Sequence, residues 1–156
     1  MTIRFEINGE KVELEVAPDA RAVDVLRREL GFTGVKEACG QGECGACTVL
    51  IDGQSRLSCL MLAAQLHGRT VLTIEGMAHG DRLHPLQESF IEHGAVQCGF
   101  CTPGMILAAE SLLGREPRPD RERIRQGLSG NLCRCTGYQK IVDAVEAVVR
   151  DGGEKP

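Results

Sequence analysis

The chain contains no tryptophan, one tyrosine and four phenylalanines among its 156 residues, so any core it builds must come from Leu, Ile, Val, Met and Ala. It also lacks an excess of positive charge: 18 Lys and Arg against 22 Asp and Glu leave a net charge of −4. That balance gives no basic field to draw in nucleic acid or an anionic membrane, and neither is expected as a partner. A long apolar run is missing too. The opening stretch TIRFEINGEKVELEV alternates charged and apolar residues and holds neither a signal-peptide core nor a membrane span. The expected location is therefore cytoplasmic, with no membrane span. An apolar fraction of 42% and a charged fraction of 26% are those of a globular protein, which excludes disordered and collagen-like classes.

What the chain does have is eight cysteines in tight local groups. In a reducing compartment such groups are metal ligands more often than disulfides. Half of this chain is also of the size at which one core supplies only about 3 to 5 kcal/mol and a bound metal group becomes a useful staple.

Ile3, Phe5 and Ile7 alternate with polar residues, Asn8-Gly9 follows, and Val12, Leu14 and Val16 alternate again, which predicts a hairpin with a tight turn and one buried face. Ala22, Val23, Leu26 and Leu30 fall at helical spacing within 20–30, stopped by Gly31. A glycine-rich loop spans 34–45. Strands are expected over 48–51, closed by Asp52-Gly53, and over 70–74, with a short helix over 59–66 between them. This half reads as a small α+β roll. GMAHGDR, residues 76–82, has the composition of a linker and places a domain boundary there, giving domains 1–76 and 77–156.

Beyond it lie four apolar stripes at helical spacing, begun by Leu83 and Leu86, by Met105 and Ile106, by Ile124 and Leu128, and by Tyr138 and Ile141. They predict a small four-helix bundle. Two of these helices are preceded by an echo, Cys101-Thr102-Pro103-Gly104 and Cys135-Thr136-Gly137. Each is expected to place a cysteine and an N-capping threonine at a helix start, where free N–H groups and partial positive charge suit an anionic centre.

Cys39-x4-Cys44-x2-Cys47, with Cys59 after eleven more residues, has the plant-type [2Fe-2S] spacing for its first three ligands. Two ferric ions, two sulfides and four thiolates carry a formal charge of about −2, and reduction adds another negative charge, so backbone N–H donors must face the sulfurs. Gly40, Gly42 and Gly45 let the loop curl that closely. The second quartet joins Cys98 and Cys101 to Cys133 and Cys135 across 31 residues. On spacing alone it is open between a [2Fe-2S] cluster, a structural zinc and a thiol redox or disulfide pair.

QCGFCTPGM at 97–105, GNLCRCTGY at 130–138 and KEACGQGECGACTVLIDG at 36–53 resemble the small iron–sulfur subunit of the molybdenum hydroxylases, the xanthine dehydrogenase, aldehyde oxidase and carbon monoxide dehydrogenase family. The likeness runs over about residues 3–150. It implies an α+β chain, with a ferredoxin-like β-grasp domain followed by a four-helix bundle, and a [2Fe-2S] cluster at each quartet. It further implies a large partner subunit holding a molybdopterin cofactor and a medium subunit holding FAD, assembled as a dimer of heterotrimers. By the same resemblance Gln97 would hydrogen-bond the pterin and Cys135 would approach its amino group. Electrons would pass from molybdenum through the second quartet and then the first to flavin, with no substrate-converting site on this chain. Ala38 stands where the family often has glycine, which leaves the backbone angle before the first ligand as a point to check. Arg134 is assigned neither of two roles, balancing cluster charge or facing a partner. His67, His79, His84 and His93 are expected on the surface or in the linker rather than as ligands. A free-standing two-cluster ferredoxin, or an interaction module with one [2Fe-2S] and one structural zinc, are the alternatives.

Overall fold

The computed structural model describes residues 1–152. β1 (Thr2–Ile7) and β2 (Glu10–Glu15) pair antiparallel across Asn8-Gly9, whose φ values of 51° and 85° are those of a two-residue turn with both centres left-handed. Asp52 and Gly53 repeat this device, at 50° and 76°, between β3 (Thr48–Ile51) and β4 (Gln54–Leu57). β5 (Thr70–Leu72) inserts between the two hairpins, parallel to β1 and antiparallel to β3, giving a mixed sheet of order β2-β1-β5-β3-β4.

Three local expectations are corrected. The helix forecast over 20–30 is shorter and widened: α1 runs α-helical over Ala22–Asp24 and π-helical over Val25–Glu29, with Leu30 N–H bonded to Val25 C=O five residues back. The short helix over 59–66 is two 3₁₀ turns, Ser58–Leu60 and Ala63–Leu66. It breaks because the entry to α1 takes its backbone groups: Ala22 N–H donates to Met61 C=O at 2.8 Å and Ala63 N–H to Ala20 C=O at 2.7 Å. The strand forecast to 74 ends at Leu72, since Thr73 N–H donates to Asn8 Oδ1 at 2.9 Å and Asn8 Nδ2 to the Thr73 hydroxyl at 3.0 Å. The side chain of the hairpin turn thus caps β5, and a 3₁₀ turn, Ile74–Gly76, follows.

Four helices then complete the described residues: α2 (Pro85–Glu92), α3 (Thr102–Arg115), α4 (Arg121–Leu128) and α5 (Gln139–Arg150). α2 packs on α5 and α3, and α4 on α3 and α5. The architecture is α+β, as expected.

Two apolar clusters hold it. One gathers Ile3, Phe5, Ile7, Val23, Leu26, Val49, Ile51 and Val71 under the sheet; the other gathers Leu86, Phe90, Met105, Leu112, Ile124, Ile141 and Val145 among the helices. Each such side chain contributes about 1.5 to 3 kcal/mol by burial, whereas ion pairs such as Arg69–Asp52 are exposed and screened by solvent, so packing decides stability. β3 is buried on both faces: Val49 and Ile51 point into the first cluster and Leu50 into the second. α3 lies against this strand, and Ser111 on α3 accepts the Ser55 N–H at 3.0 Å.

Candidate functional site

The glycine-rich loop after α1 brings its donors onto sulfur. Gln41, Glu43 and Cys44 each point a backbone N–H at Cys39 Sγ, all at 3.4 Å, and Ala46 N–H points at Cys44 Sγ at 3.5 Å. Those donors, with a hydrogen bond from Cys44, hold the Cys39 thiol down to about 6 against an ordinary 9.0, because they stabilise the thiolate. Gly40, Gly42 and Gly45 have φ of 64°, 78° and 74°, angles that allow the curl. A Cβ on Gly42 would lie 2.4 Å from Leu60 Cδ1, so the loop also closes down on the turn that carries Cys59. Arg21 Nη1 donates to Glu37 Oε1 at 2.7 Å and ties the loop entrance to α1. Ala38 is not among the residues with positive φ, so the alanine there is unstrained. Glu43 is exposed.

Cys47 and Cys59 are buried behind this loop and hydrogen-bond each other; burial, above all, pushes the Cys47 thiol up to about 11. The first quartet is thus two pairs, Cys39 with Cys44 and Cys47 with Cys59.

The second quartet has the same two-by-two form from distant segments: Cys101 pairs with Cys133 and Cys98 with Cys135. Cys101 and Cys133 rest against the helical core while Cys98 and Cys135 are exposed. Burial, then the Cys133 and Cys98 thiols, push Cys101 up to about 12, and the hydrogen bond with Cys98 raises Cys135. Burial also pushes Cys133 up, but the Thr136 hydroxyl and N–H donors outweigh it and bring the thiol down to about 7. Pairs of thiols are what two irons with two thiolates each require, whereas a single zinc draws all four around one point. Among the described residues no group of three or more His, Cys, Asp or Glu side chains is placed to hold one metal ion.

The two loops are bonded to each other. Leu132 N–H donates to Cys44 C=O at 2.8 Å, and the buried Asn131 side chain donates to Gly45 C=O at 3.0 Å and to the Thr48 hydroxyl at 3.2 Å. Glycine makes this approach feasible from both sides: a Cβ on Gly45 would lie 2.4 Å from Gly130 O, and one on Gly104 would lie 2.6 Å from Gly45 O.

Two sequence expectations fail here. Thr102 is the first residue of α3, whose N-cap is Cys101, and α5 is capped by Tyr138, so neither threonine of the echo is an N-cap. Thr136 bonds the Cys133 sulfur instead, through both N–H and hydroxyl. Gln97 is exposed beside Cys98, with no hydrogen bond among the described residues, and Arg134 is exposed and makes no ion pair among them. His67 accepts Arg4 N–H, His84 caps α2 and His93 bonds Ser89, which are local structural roles. Sequence reasoning missed Asn131, Thr136 and Tyr138 as supports of the site. Their only signal was position, inside GNLCRCTGY and next to two ligands.

Residues 5–73 match the family described as "2Fe-2S iron-sulfur cluster binding domain" and residues 73–146 the family described as "[2Fe-2S] binding domain". Fold and site therefore define a protein with two [2Fe-2S]-binding domains in tandem, and the structural-zinc alternative for the second quartet loses its ground. The nicotinate dehydrogenase small FeS subunit of Eubacterium barkeri is 50% identical over 149 residues, spanning 96% of this chain and 95% of that one. The xanthine dehydrogenase iron-sulfur-binding subunit of Escherichia coli O157:H7 is 49% identical, spanning 93% and 92%. The structure of quinoline 2-oxidoreductase from Pseudomonas putida 86 superposes with a TM-score of 0.91 at 47% identity, covering 97% of each chain. The chain belongs to the family of small [2Fe-2S] subunits of the molybdenum hydroxylases, the xanthine dehydrogenase and aldehyde oxidase type, and is an oxidoreductase component.

Proposed function

We propose that this chain is the electron-transfer subunit of a molybdenum hydroxylase, with Cys39, Cys44, Cys47 and Cys59 holding one [2Fe-2S] cluster and Cys98, Cys101, Cys133 and Cys135 the other. Bound there, the clusters supply one-electron chemistry between a molybdopterin cofactor on a large partner subunit and FAD on a medium one. The observation that carries this reading is the pairing of the eight thiols two by two at two sites whose Cys44–Gly45 and Asn131–Leu132 segments are hydrogen-bonded to each other. The chain's own part is to present thiolates, direct N–H and O–H donors at sulfur, and fix the spacing of the two sites.

In this reading the second quartet meets the molybdopterin subunit, with Gln97 hydrogen-bonding the pterin and Cys135 beside its amino group, which the exposure of Cys98, Cys135 and Gln97 supports. The same reading has the Cys39–Cys44 edge of the first quartet face the flavin subunit, which the burial of Cys47 and Cys59 supports. We assign the organisation as a β-grasp domain, residues 1–76, and a four-helix bundle, residues 77–156, within a cytoplasmic dimer of heterotrimers. The mutual packing of α2 to α5 and the meeting of the two family matches at residue 73 support that division.

Purification of the native assembly tests the proposal. Expected are about four iron and about four acid-labile sulfide per chain, two distinguishable paramagnetic signals on reduction, and co-purifying molybdenum. An assembly without molybdenum would sink it. Recovery of the chain alone, fully loaded and monomeric, would favour a free-standing two-cluster ferredoxin instead.

A further inference from the structure

Around Cys133 the hydrogen bonds form a closed circuit. Tyr138 N–H donates to Thr136 Oγ1 at 3.2 Å, the Thr136 hydroxyl donates to Cys133 Sγ at 3.0 Å, and Cys133 N–H donates back to the Tyr138 hydroxyl at 2.9 Å. The direction of the Thr136 proton follows from this. An amide N–H can only donate, so Thr136 Oγ1 is the acceptor toward Tyr138 and its own hydrogen is left for sulfur. Tyr138 holds its place at a φ of 69°, a left-handed angle that a residue with a Cβ adopts only when its surroundings over-determine it. Both ends of that residue are anchored in the circuit, its N–H to Thr136 and its hydroxyl to the Cys133 backbone.

The contact from Thr136 is also the shortest hydrogen bond to any cysteine sulfur among the described residues, against 3.4 to 3.5 Å for the amide donors of the first quartet. The two sites therefore differ in their closest donor. Backbone amides, which no substitution of a side chain removes, are the donors to Cys39 and Cys44 in the first; in the second a side-chain hydroxyl joins the Thr136 N–H and comes nearer to sulfur than any amide.

We infer that Thr136 sets the reduction potential of the second cluster through its hydroxyl bond to Cys133 Sγ, raising it above the value the thiolates alone would give. Reduction adds one electron and no proton to a cluster of formal charge about −2, and the added charge spreads onto the ligand sulfurs. A donor aimed at sulfur binds the reduced state more strongly than the oxidised one, which favours reduction. Thr136 is a positioning residue in this sense, since it acts on the cluster through Cys133.

This inference rests on the reading that Cys133 ligates the second cluster. The test is an EPR-monitored titration with dithionite of the native assembly carrying T136V or T136S. T136V, which keeps the shape and loses the hydroxyl, is expected to lower one midpoint about tenfold in the oxidised-to-reduced ratio, ~59 mV for one electron, and to leave the other in place. T136S is expected to stay near the unmodified value. No shift in T136V, or equal shifts of both midpoints, overturns the inference. If T136V loses its cluster, pulsed EPR of the unmodified assembly after brief transfer to D2O decides: a rapidly exchanged hydroxyl deuteron coupled to one of the two reduced clusters supports the role, and none at either cluster overturns it. An iron and sulfide count of one cluster per unmodified chain would mark failure of the underlying ligand assignment instead.

Discussion

The two cysteine sites solve one problem with different materials. The first is made almost entirely from one loop, curled by three glycines, with backbone amides on Cys39 and the Cys47–Cys59 pair buried under the sheet. The second is assembled from residues 98–101 and 133–135, which meet only because α3, α4 and α5 pack between and beside them. Its donors include a side-chain hydroxyl, and two of its four cysteines are exposed. A site built within a loop depends on backbone conformation, and one built across a helical unit depends on core packing. The sites nonetheless share a hydrogen-bonded seam, formed by Leu132, Asn131, Cys44 and Gly45.

Perturbations of each part test how separate the sites are. The largest effect is expected from Cys44→Ala, which removes a thiolate of the first site: one of the two paramagnetic signals and about half of the iron should disappear, and electron delivery to flavin should stop. Loss of both signals would show that the seam makes the two sites one cooperative unit. Gly45→Ala strikes the seam itself. Its Cβ would meet Gly130 O at 2.4 Å at a positive φ, so overpacking and left-handed strain together should cost about 2 to 5 kcal/mol. A chemical denaturation midpoint measures this, with Gly53→Ala, whose Cβ meets nothing, as the control for strain alone.

Asn131→Ala removes the buried donor to Gly45 C=O and Thr48 and should cost about 1 to 3 kcal/mol. If the seam transmits, both paramagnetic signals should broaden, whereas a change confined to one would separate the sites again. Titration of the cluster-free chain sharpens the contrast within each site. Cys39, near 6, and Cys133, near 7, are the thiolates at neutral pH, while Cys47, near 11, and Cys101, near 12, stay protonated. Alkylation at pH 7.5 followed by peptide mapping should therefore label Cys39 and Cys133 first. Because their folded values lie below the ordinary 9.0, the stabilisation from their donors is complete above pH 9 and is lost as pH falls through about 7 and then about 6. The smallest effect on the chain itself belongs to the exposed Gln97. Gln97→Ala should change stability by less than about 0.5 kcal/mol and keep both clusters, yet alter the molybdenum signal of the assembly. An unaltered molybdenum signal would leave Gln97 a plain surface residue.

Much of this was legible in the residues. Alternation around Asn8-Gly9 forecasts the first hairpin, Asp52-Gly53 closes the strand over 48–51 as expected although β4 beyond it is not forecast, and the apolar stripes forecast four helices near their observed places. The misses share a cause. The helix over 59–66 and the strand end at 74 were overridden by backbone groups from residues 20–22 and by the Asn8 side chain, partners far away in sequence. Thr136 looked like a helix cap because cysteine, threonine and glycine preceded an apolar stripe, but the left-handed Tyr138 starts that helix and frees the hydroxyl for sulfur.

By itself the sequence determined the chemistry of the first site, because ligands at four and two intervening residues and glycines between them are held near one another by the covalent chain. It also set three consecutive apolar residues, Val49, Leu50 and Ile51, in β3. Only the tertiary structure decided that Cys98 and Cys101 meet Cys133 and Cys135, since 31 intervening residues constrain nothing until α3 and α4 pack. The seam between the sites was likewise decided by packing, where Leu50 docks α3 on β3, Ser111 docks it on β4, and two absent Cβ atoms let the loops touch.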